Sequence, residues 1–196
     1  MIDEMEFTTD WVTARDAWWR EAFAALVGNP ARMLEVGCYE GRSAQWWLSN
    51  VLTHPRSELI CVDRWPSKSE ANRARLLADP EHGRKFSFHA ADAIPWAARL
   101  LANGAGECFD AIYSDFSKEG ADIMSLACLA FRLLKPGGLY LFDDYAWRWQ
   151  ERGDGFPAPQ RRPDVGIDAW LAAHEPFCSR IERRCGQLLA VKRTEP

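Results

Sequence analysis

Two short apolar runs that end in acid, with a helical stretch between them, constrain this chain more than any other feature. Phe109-Asp-Ala-Ile-Tyr-Ser114 runs into Asp115, and Gly138-Leu-Tyr-Leu-Phe142 runs into Asp143-Asp144. Runs of this length and composition read as buried strands, and residues 119–134 between them as a helix. A strand–helix–strand unit makes parallel neighbours through a right-handed crossover. Asp115, Asp143 and Asp144 should therefore meet at one edge of a sheet. Carboxylates that close repel one another unless a cation or a proton intervenes. Lys118 follows Asp115 by three residues.

The rest of the chain repeats the alternation. Thr9-Asp10 offers an N-cap for a helix over Trp11–Leu26, which Gly28-Asn29-Pro30 ends. Strands are expected at Met33–Val36, Glu58–Asp63 and Phe86–His89, with helices at Arg42–Leu52, Ser67–Ala78 and Ile94–Ala102. Lys135-Pro-Gly-Gly138 reads as a helix stop and turn. Residues 145–163 are too irregular for a core element, Asp164–His174 reads as a short helix, and Phe177–Arg184 with Leu188–Arg193 form a hairpin around Cys185-Gly186-Gln187. The fold class is α/β: a single doubly wound, Rossmann-like, mainly parallel sheet with helices on both faces and a C-terminal antiparallel hairpin. All 196 residues form one domain, divided into an N-terminal helical segment (1–30), an alternating strand–helix core (31–144), a loop (145–163) and a helix with the closing hairpin (164–196).

Composition narrows the function. A net charge of −4 argues against nucleic acid as a partner, since such proteins usually carry a basic patch. No apolar run is long enough to span a bilayer, and the acidic start lacks the features of a signal peptide, so a cytoplasmic location without membrane contact is expected. Six cysteines form no CxxC pair and no zinc spacing with the four scattered histidines; they read as buried free thiols, with a Cys178–Cys185 bridge as the alternative.

A second motif sits in front of the acid edge. Glu35-Val-Gly-Cys-Tyr-Glu-Gly-Arg-Ser-Ala44 occupies the first strand-to-helix turn. Gly37 and Gly41 permit a tight turn and close approach to a ligand, and the following helix offers free N–H groups to an anion. The spacing is GxxxG, not the GxGxxG of dinucleotide sites. Asp63, ending the second strand, is placed to accept hydrogen bonds from ribose hydroxyls, or simply to cap a turn.

Taken in order, ExGxxxG after strand one, Asp63 after strand two, Ala91-Asp92 after strand three and LLKPGG before strand five resemble the class I S-adenosylmethionine-dependent methyltransferases. The resemblance covers about residues 31–193. It implies that Gly37, Tyr39, Gly41 and Ser43 line the methionine end of S-adenosylmethionine, that Glu35 supports its amino group, Asp63 its ribose, and Ala91 with Asp92 its adenine. Within that superfamily, LEVGCYEGRSA is most similar to the catechol O-methyltransferase-like enzymes and their small bacterial relatives. This implies a magnesium ion held by Asp115, Asp143 and Asp144, with Lys118 in the place of a catalytic lysine and Asp115 serving cofactor and metal alike. Asp144 departs from the family's usual Asn; a carboxylate there still offers a hard cation an oxygen ligand.

The implied reaction is direct methyl transfer to a hydroxyl of a small molecule. Asp115, Asp143 and Lys118 are the catalytic candidates, and Lys118 takes the proton or stabilises the oxyanion. A metal-free enzyme of the same fold and a non-catalytic S-adenosylmethionine-binding protein are the alternatives. Trp147, Arg148, Trp149, Arg152, Arg161 and Arg162 are candidates for a lid over the acceptor or for solvated surface, and Trp65 for a cover on the adenine. Trp18, Trp19, Trp46 and Trp47 read as core or dimer contacts, which leaves a homo-oligomer open.

Overall fold

The computed structural model describes residues 5–64, 66–148 and 161–195, with the side chains of 66–69 left aside. Seven strands form one sheet in the order β3-β2-β1-β4-β5-β7-β6. They are β1 (Arg32–Val36), β2 (Glu58–Asp63), β3 (Phe86–Ala90), β4 (Phe109–Ser114), β5 (Leu134–Phe142), β6 (Cys178–Arg184) and β7 (Gln187–Lys192). The first five are parallel, and β7 and β6 close the sheet antiparallel. The helices are α1 (Asp16–Ala22), α2 (Arg42–Asn50), α3 (Pro66–Ala78), α4 (Ala93–Ala102), α5 (Gly120–Leu133) and α6 (Pro163–His174). Among the described residues, no helix is long and apolar enough to cross a membrane.

Alternation along the central strands divides the core into two layers. Met33, Ala111, Tyr113, Leu139, Leu141 and Leu189 face a cluster built on Trp18, Trp19, Phe23, Trp46 and Trp47, while Leu34, Val36, Ile112, Tyr140, Phe142 and Leu188 face the other cluster, with Trp96, Phe131 and Trp170. The four tryptophans at 18, 19, 46 and 47 are thus core residues, and Trp19 stacks on Trp47 at 4.3 Å. All six cysteines are free; Cys38, Cys61 and Cys178 are buried and Cys185 is exposed, so no Cys178–Cys185 bridge forms.

Two expected elements differ. The single helix over Trp11–Leu26 is α1 flanked by 3-10 turns at Thr13–Arg15 and Ala24–Leu26. Asp10 accepts from the amides of Val12 and Thr13 without being the N-cap of either helical piece, and the Arg15 guanidinium takes the Trp11 carbonyl that an α-helical amide would need. Lys135-Pro-Gly-Gly138 lies inside β5, where the pairing slips from Phe109↔Leu134 to Ala111↔Leu139. The extra residues loop out at Gly137, which has φ +78, and Lys135 pairs with Asp110. The pairing with β4 resumes beyond the insertion, from Ala111↔Leu139 to Ser114↔Phe142.

The order of strands reverses between β1 and β4, and such switch points are where open α/β sheets bind ligands. There the Asp115 amide donates to the Val36 carbonyl at 2.8 Å, and Gly37 donates to Val62 at 2.9 Å. A Cβ on Gly37 would stand 2.0 Å from the Asp115 carbonyl oxygen. Gly41 also has positive φ, but a Cβ there would meet only Leu76 Cδ1 at 3.9 Å. Gly41→Ala should therefore fold and lose about 1–2 kcal/mol, the cost of a left-handed non-glycine residue. Gly37→Ala should not give a folded protein; urea unfolding followed by circular dichroism checks both, and a folded Gly37→Ala variant would refute the close approach.

Candidate active site

Asp143 is the most densely bonded acid of the edge. Its Oδ1 accepts from the Arg15 guanidinium at 2.9 Å, the Gln187 amide at 3.1 Å and the Asp144 backbone N–H at 2.8 Å, and its Oδ2 accepts from the Tyr113 hydroxyl at 2.6 Å. Gln187 in turn accepts from the Trp19 indole at 2.9 Å. A carboxylate offers about four acceptor positions; here Oδ1 takes three donors and Oδ2 one. Burial pushes the Asp143 carboxyl up, Asp115 adds to that, and Arg15 pulls it back.

Asp115 and Asp144 share a different cation. The Lys118 ammonium donates to Asp115 Oδ1 at 2.7 Å and also to Asp144 Oδ2. Burial works against its charge, but the two carboxylates outweigh that and hold the ammonium above its usual range. That pairing favours the charged form of Lys118, which suits the expected oxyanion role better than uptake of a proton. Burial raises the Asp115 carboxyl, with Lys118 opposing. Asp144 reaches this position through a positive φ of 56, which a non-glycine residue rarely adopts.

Magnesium fits the chemistry of three aspartates, since it takes oxygen ligands, but not their arrangement. Each carboxylate is already engaged by Arg15 or Lys118, and among the described residues no group of acids, histidines and cysteines is arranged to hold a metal ion. Of the three expected ligands, Asp115 and Asp144 share Lys118, while Arg15 draws Asp143 into a separate network.

Two cavities open beside this edge. The larger is bordered by Ser43, Tyr113, Asp115, Lys118, Asp143 and Asp144; the smaller is bordered by Asp63, Ala91 and Asp92. Gly37, Tyr39 and Asp115 border both. Asp63 also anchors the front loop, its Oδ2 accepting from the amides of Cys38 at 3.0 Å and Tyr39 at 2.9 Å. Gly41 and Glu35 border neither cavity. Gly41 starts α2 in a left-handed conformation. Glu35 is wholly buried and is bonded to the Ser43 hydroxyl and, at 3.2 Å, to the Cys61 thiol.

Among the described residues, the wall of the larger cavity comes mainly from the N-terminal segment. Thr9, Trp11, Val12, Arg15 and Trp19 border it, joined by Arg42 from α2 and by Trp147. Arg148, Arg161 and Arg162 do not border it; Arg148 and Arg162 pair with Asp164 at the start of α6. Trp65, Trp149 and Arg152 lie outside the described residues. Arg15, Trp11, Tyr113 and Gln187 were missed in the sequence. Tyr113 and Gln187 carry a weak signal there, as polar groups within apolar strands, and Trp11 and Arg15 carry none.

Burial pushes the Glu35 carboxyl up to about 7, against the pull of its bonds to Ser43 and Cys61. A carboxyl raised in the folded state favours folding fully below the unfolded value and loses that contribution as pH rises through the folded one. Wild-type stability should therefore fall by about 3 kcal/mol between roughly pH 4.5 and 7 relative to Glu35→Gln. Urea titrations of both proteins across that range check it; parallel pH profiles would refute it.

The comparisons with known proteins agree with this geometry. A family model described as a methyltransferase domain matches residues 34–145. No curated protein matches the sequence. Among solved structures, the O-methyltransferase TomG from Streptomyces achromogenes, in complex with S-adenosylmethionine, is 18% identical over 95% of this chain and 82% of its own, with a TM-score of 0.69. An O-methyltransferase from Bacillus cereus in complex with S-adenosylhomocysteine is 16% identical over 98% of this chain and 84% of its own, with a TM-score of 0.68. MycE, a methyltransferase of mycinamycin biosynthesis in complex with magnesium, S-adenosylhomocysteine and mycinamycin VI, is 18% identical over 97% of this chain and 52% of its own, with a TM-score of 0.64. These likenesses show the fold, and the family match shows more: the chain belongs to the methyltransferase-domain family and is a class I S-adenosylmethionine-dependent methyltransferase.

Proposed function

We propose that the protein moves a methyl group to a hydroxyl oxygen of a small molecule. The observation that carries this reading is the junction of the two cavities at Gly37, Tyr39 and Asp115, with the charged Lys118 beside it. S-Adenosylmethionine supplies a sulfonium-activated methyl group. In this reading Asp63, Ala91 and Asp92 hold its adenosine, and Gly37, Tyr39 and Ser43 hold its methionine end. The larger cavity then takes the acceptor between Trp11, Tyr39 and Trp147, an aromatic setting suited to a flat hydroxylated ring. O-Methyltransferases among the structural neighbours support oxygen as the nucleophile.

The catalytic demand is modest, because the methyl group arrives activated and the enzyme chiefly aligns it. Lys118, held as an ammonium, stabilises negative charge on the acceptor oxygen. The hydroxyl proton passes to the Asp115 carboxylate, which burial makes a better base. The oxygen lone pair bonds to the methyl carbon as the carbon–sulfur bond breaks, and that bond's electrons remain on sulfur. No step runs through magnesium in this reading, because Arg15 and Lys118 already pair with the three aspartates. Asp143 acts as a positioning residue that fixes Arg15 and Tyr113.

Transfer of labelled methyl to a panel of hydroxylated aromatic compounds tests the reading. Lys118→Met should lower kcat by about 100-fold or more, the typical effect of removing a preorganised charge at an oxyanion, while cofactor affinity stays nearly constant. Turnover should survive a chelator. Loss of activity on chelation with recovery on adding magnesium would overturn the metal-free mechanism. Methylation of nitrogen or sulfur acceptors alone would overturn the choice of oxygen.

A further inference from the structure

Arg15 is a positive charge from outside the front loop and the strand ends, yet it is inserted into the acid edge. It arrives from the 3-10 turn before α1, with its side chain largely buried at 19% exposure. One guanidinium nitrogen donates to the Trp11 carbonyl at 2.7 Å, the other to Asp143 at 2.9 Å, and the buried Nε has no partner. A guanidinium is always charged and directional, so it holds a carboxylate in one place more firmly than a hydrated ion does. With Lys118 between Asp115 and Asp144, two fixed cations face three carboxylates, and a divalent ion arriving there would meet two like charges.

We propose that Arg15 is the built-in cation of this edge. It takes the Asp143 oxygen that a divalent ion would need as a ligand, closes the site to such ions, and ties the acceptor wall at Trp11 to the catalytic acids. The inference rests on the metal-free reading above, and its consequence is specific: removing Arg15 should open a divalent-cation site that the native chain lacks. Asp143 Oδ1 would then keep only the Gln187 amide and the Asp144 N–H as donors, and the edge would hold three carboxylates against Lys118 alone. Oxygen donors in that number suit magnesium or manganese.

Manganese binding, followed by loss of the free-ion electron paramagnetic resonance signal, tests this on the protein without cofactor or acceptor, so a failure of methyl transfer does not enter. The wild type should show no saturable site, whereas Arg15→Ala should bind one ion tighter than wild type by roughly tenfold or more, since one fewer positive charge faces it. Adding Asp143→Asn to Arg15→Ala should abolish the gain. Arg15→Gln, closer in size, repeats the test, with circular dichroism reporting the fold of each variant. A stoichiometric site in the wild type would overturn the proposal, as would folded Arg15 variants that gain no affinity. If both variants unfold, the wild-type titration decides alone: no saturable site supports the proposal.

Discussion

The carboxylate of Asp143 is the interaction on which the functional end of this protein depends. Its four hydrogen bonds come from the N-terminal segment, β4, the turn after β5 and β7, elements far apart in sequence. A buried charge is costly unless it is paired and its remaining lone pairs are satisfied. Removing one partner of such a pair typically costs about 3–5 kcal/mol, because the other charge is left uncompensated. The same bonds that make Asp143 tolerable where it lies therefore set the relative positions of Arg15, Tyr113 and Gln187. Asp115, one strand over, is fixed independently by the seam between Val36 and Gly37.

Three acids at one strand edge pose an electrostatic problem with more than one solution. A bound divalent ion is one, and MycE was crystallised with magnesium. Here the arrangement is a pair of basic side chains, one local and one distant. Lys118 belongs to the same turn as Asp115, whereas Arg15 comes from 128 residues before Asp143. The two basic side chains also divide the labour. Lys118 borders the cavity and is half-exposed, available to an acceptor oxygen; the Arg15 guanidinium is committed to Trp11 and Asp143. Glu35 is pushed towards its neutral form mainly by burial, with the nearby acids adding to it.

What could be read from the sequence follows from the range of the forces involved. Strand ends at Asp63, Asp115 and Asp143, the front-loop glycines and the closing hairpin are local patterns of period and turn chemistry, and the sheet has them where they were expected. The slip inside β5 was hidden, because Lys135-Pro-Gly-Gly138 carries a turn signature whether the chain reverses or merely bulges. The division of the first helix was hidden for a related reason: the Arg15 side chain competes for a carbonyl, which apolar periodicity does not register. The site's partners were the least legible. Arg15, Tyr113 and Gln187 matter only through Asp143, and their meeting is a product of the fold, so no spacing announces it. The acidic residues themselves suggested a cation, but not that the protein would supply it.

The N-terminal segment joins the two halves of the site mechanically. Thr8 donates from both amide and hydroxyl to Glu40 of the front loop, at 2.7 and 2.6 Å. Asn72 of α3 donates to the carbonyls of Glu6 and Glu40 alike, at 2.9 Å each. Trp11 lies 5.9 Å from Tyr39, and Arg15 ends on Asp143. The wall of the larger cavity is therefore fastened at one end to the loop that borders both cavities and at the other to the acids. Order in the front loop and order in the wall reinforce each other, because a shift in Glu40 releases Thr8 and a shift in Asp143 releases Arg15. A segment held only by its own helix would not have this property, since α1 is seven residues long and isolated helices of that length are marginal in water. Its stability comes from Trp18 and Trp19 in the core and from these tethers, so the surface offered to an acceptor is set by the same contacts that hold the acid edge together.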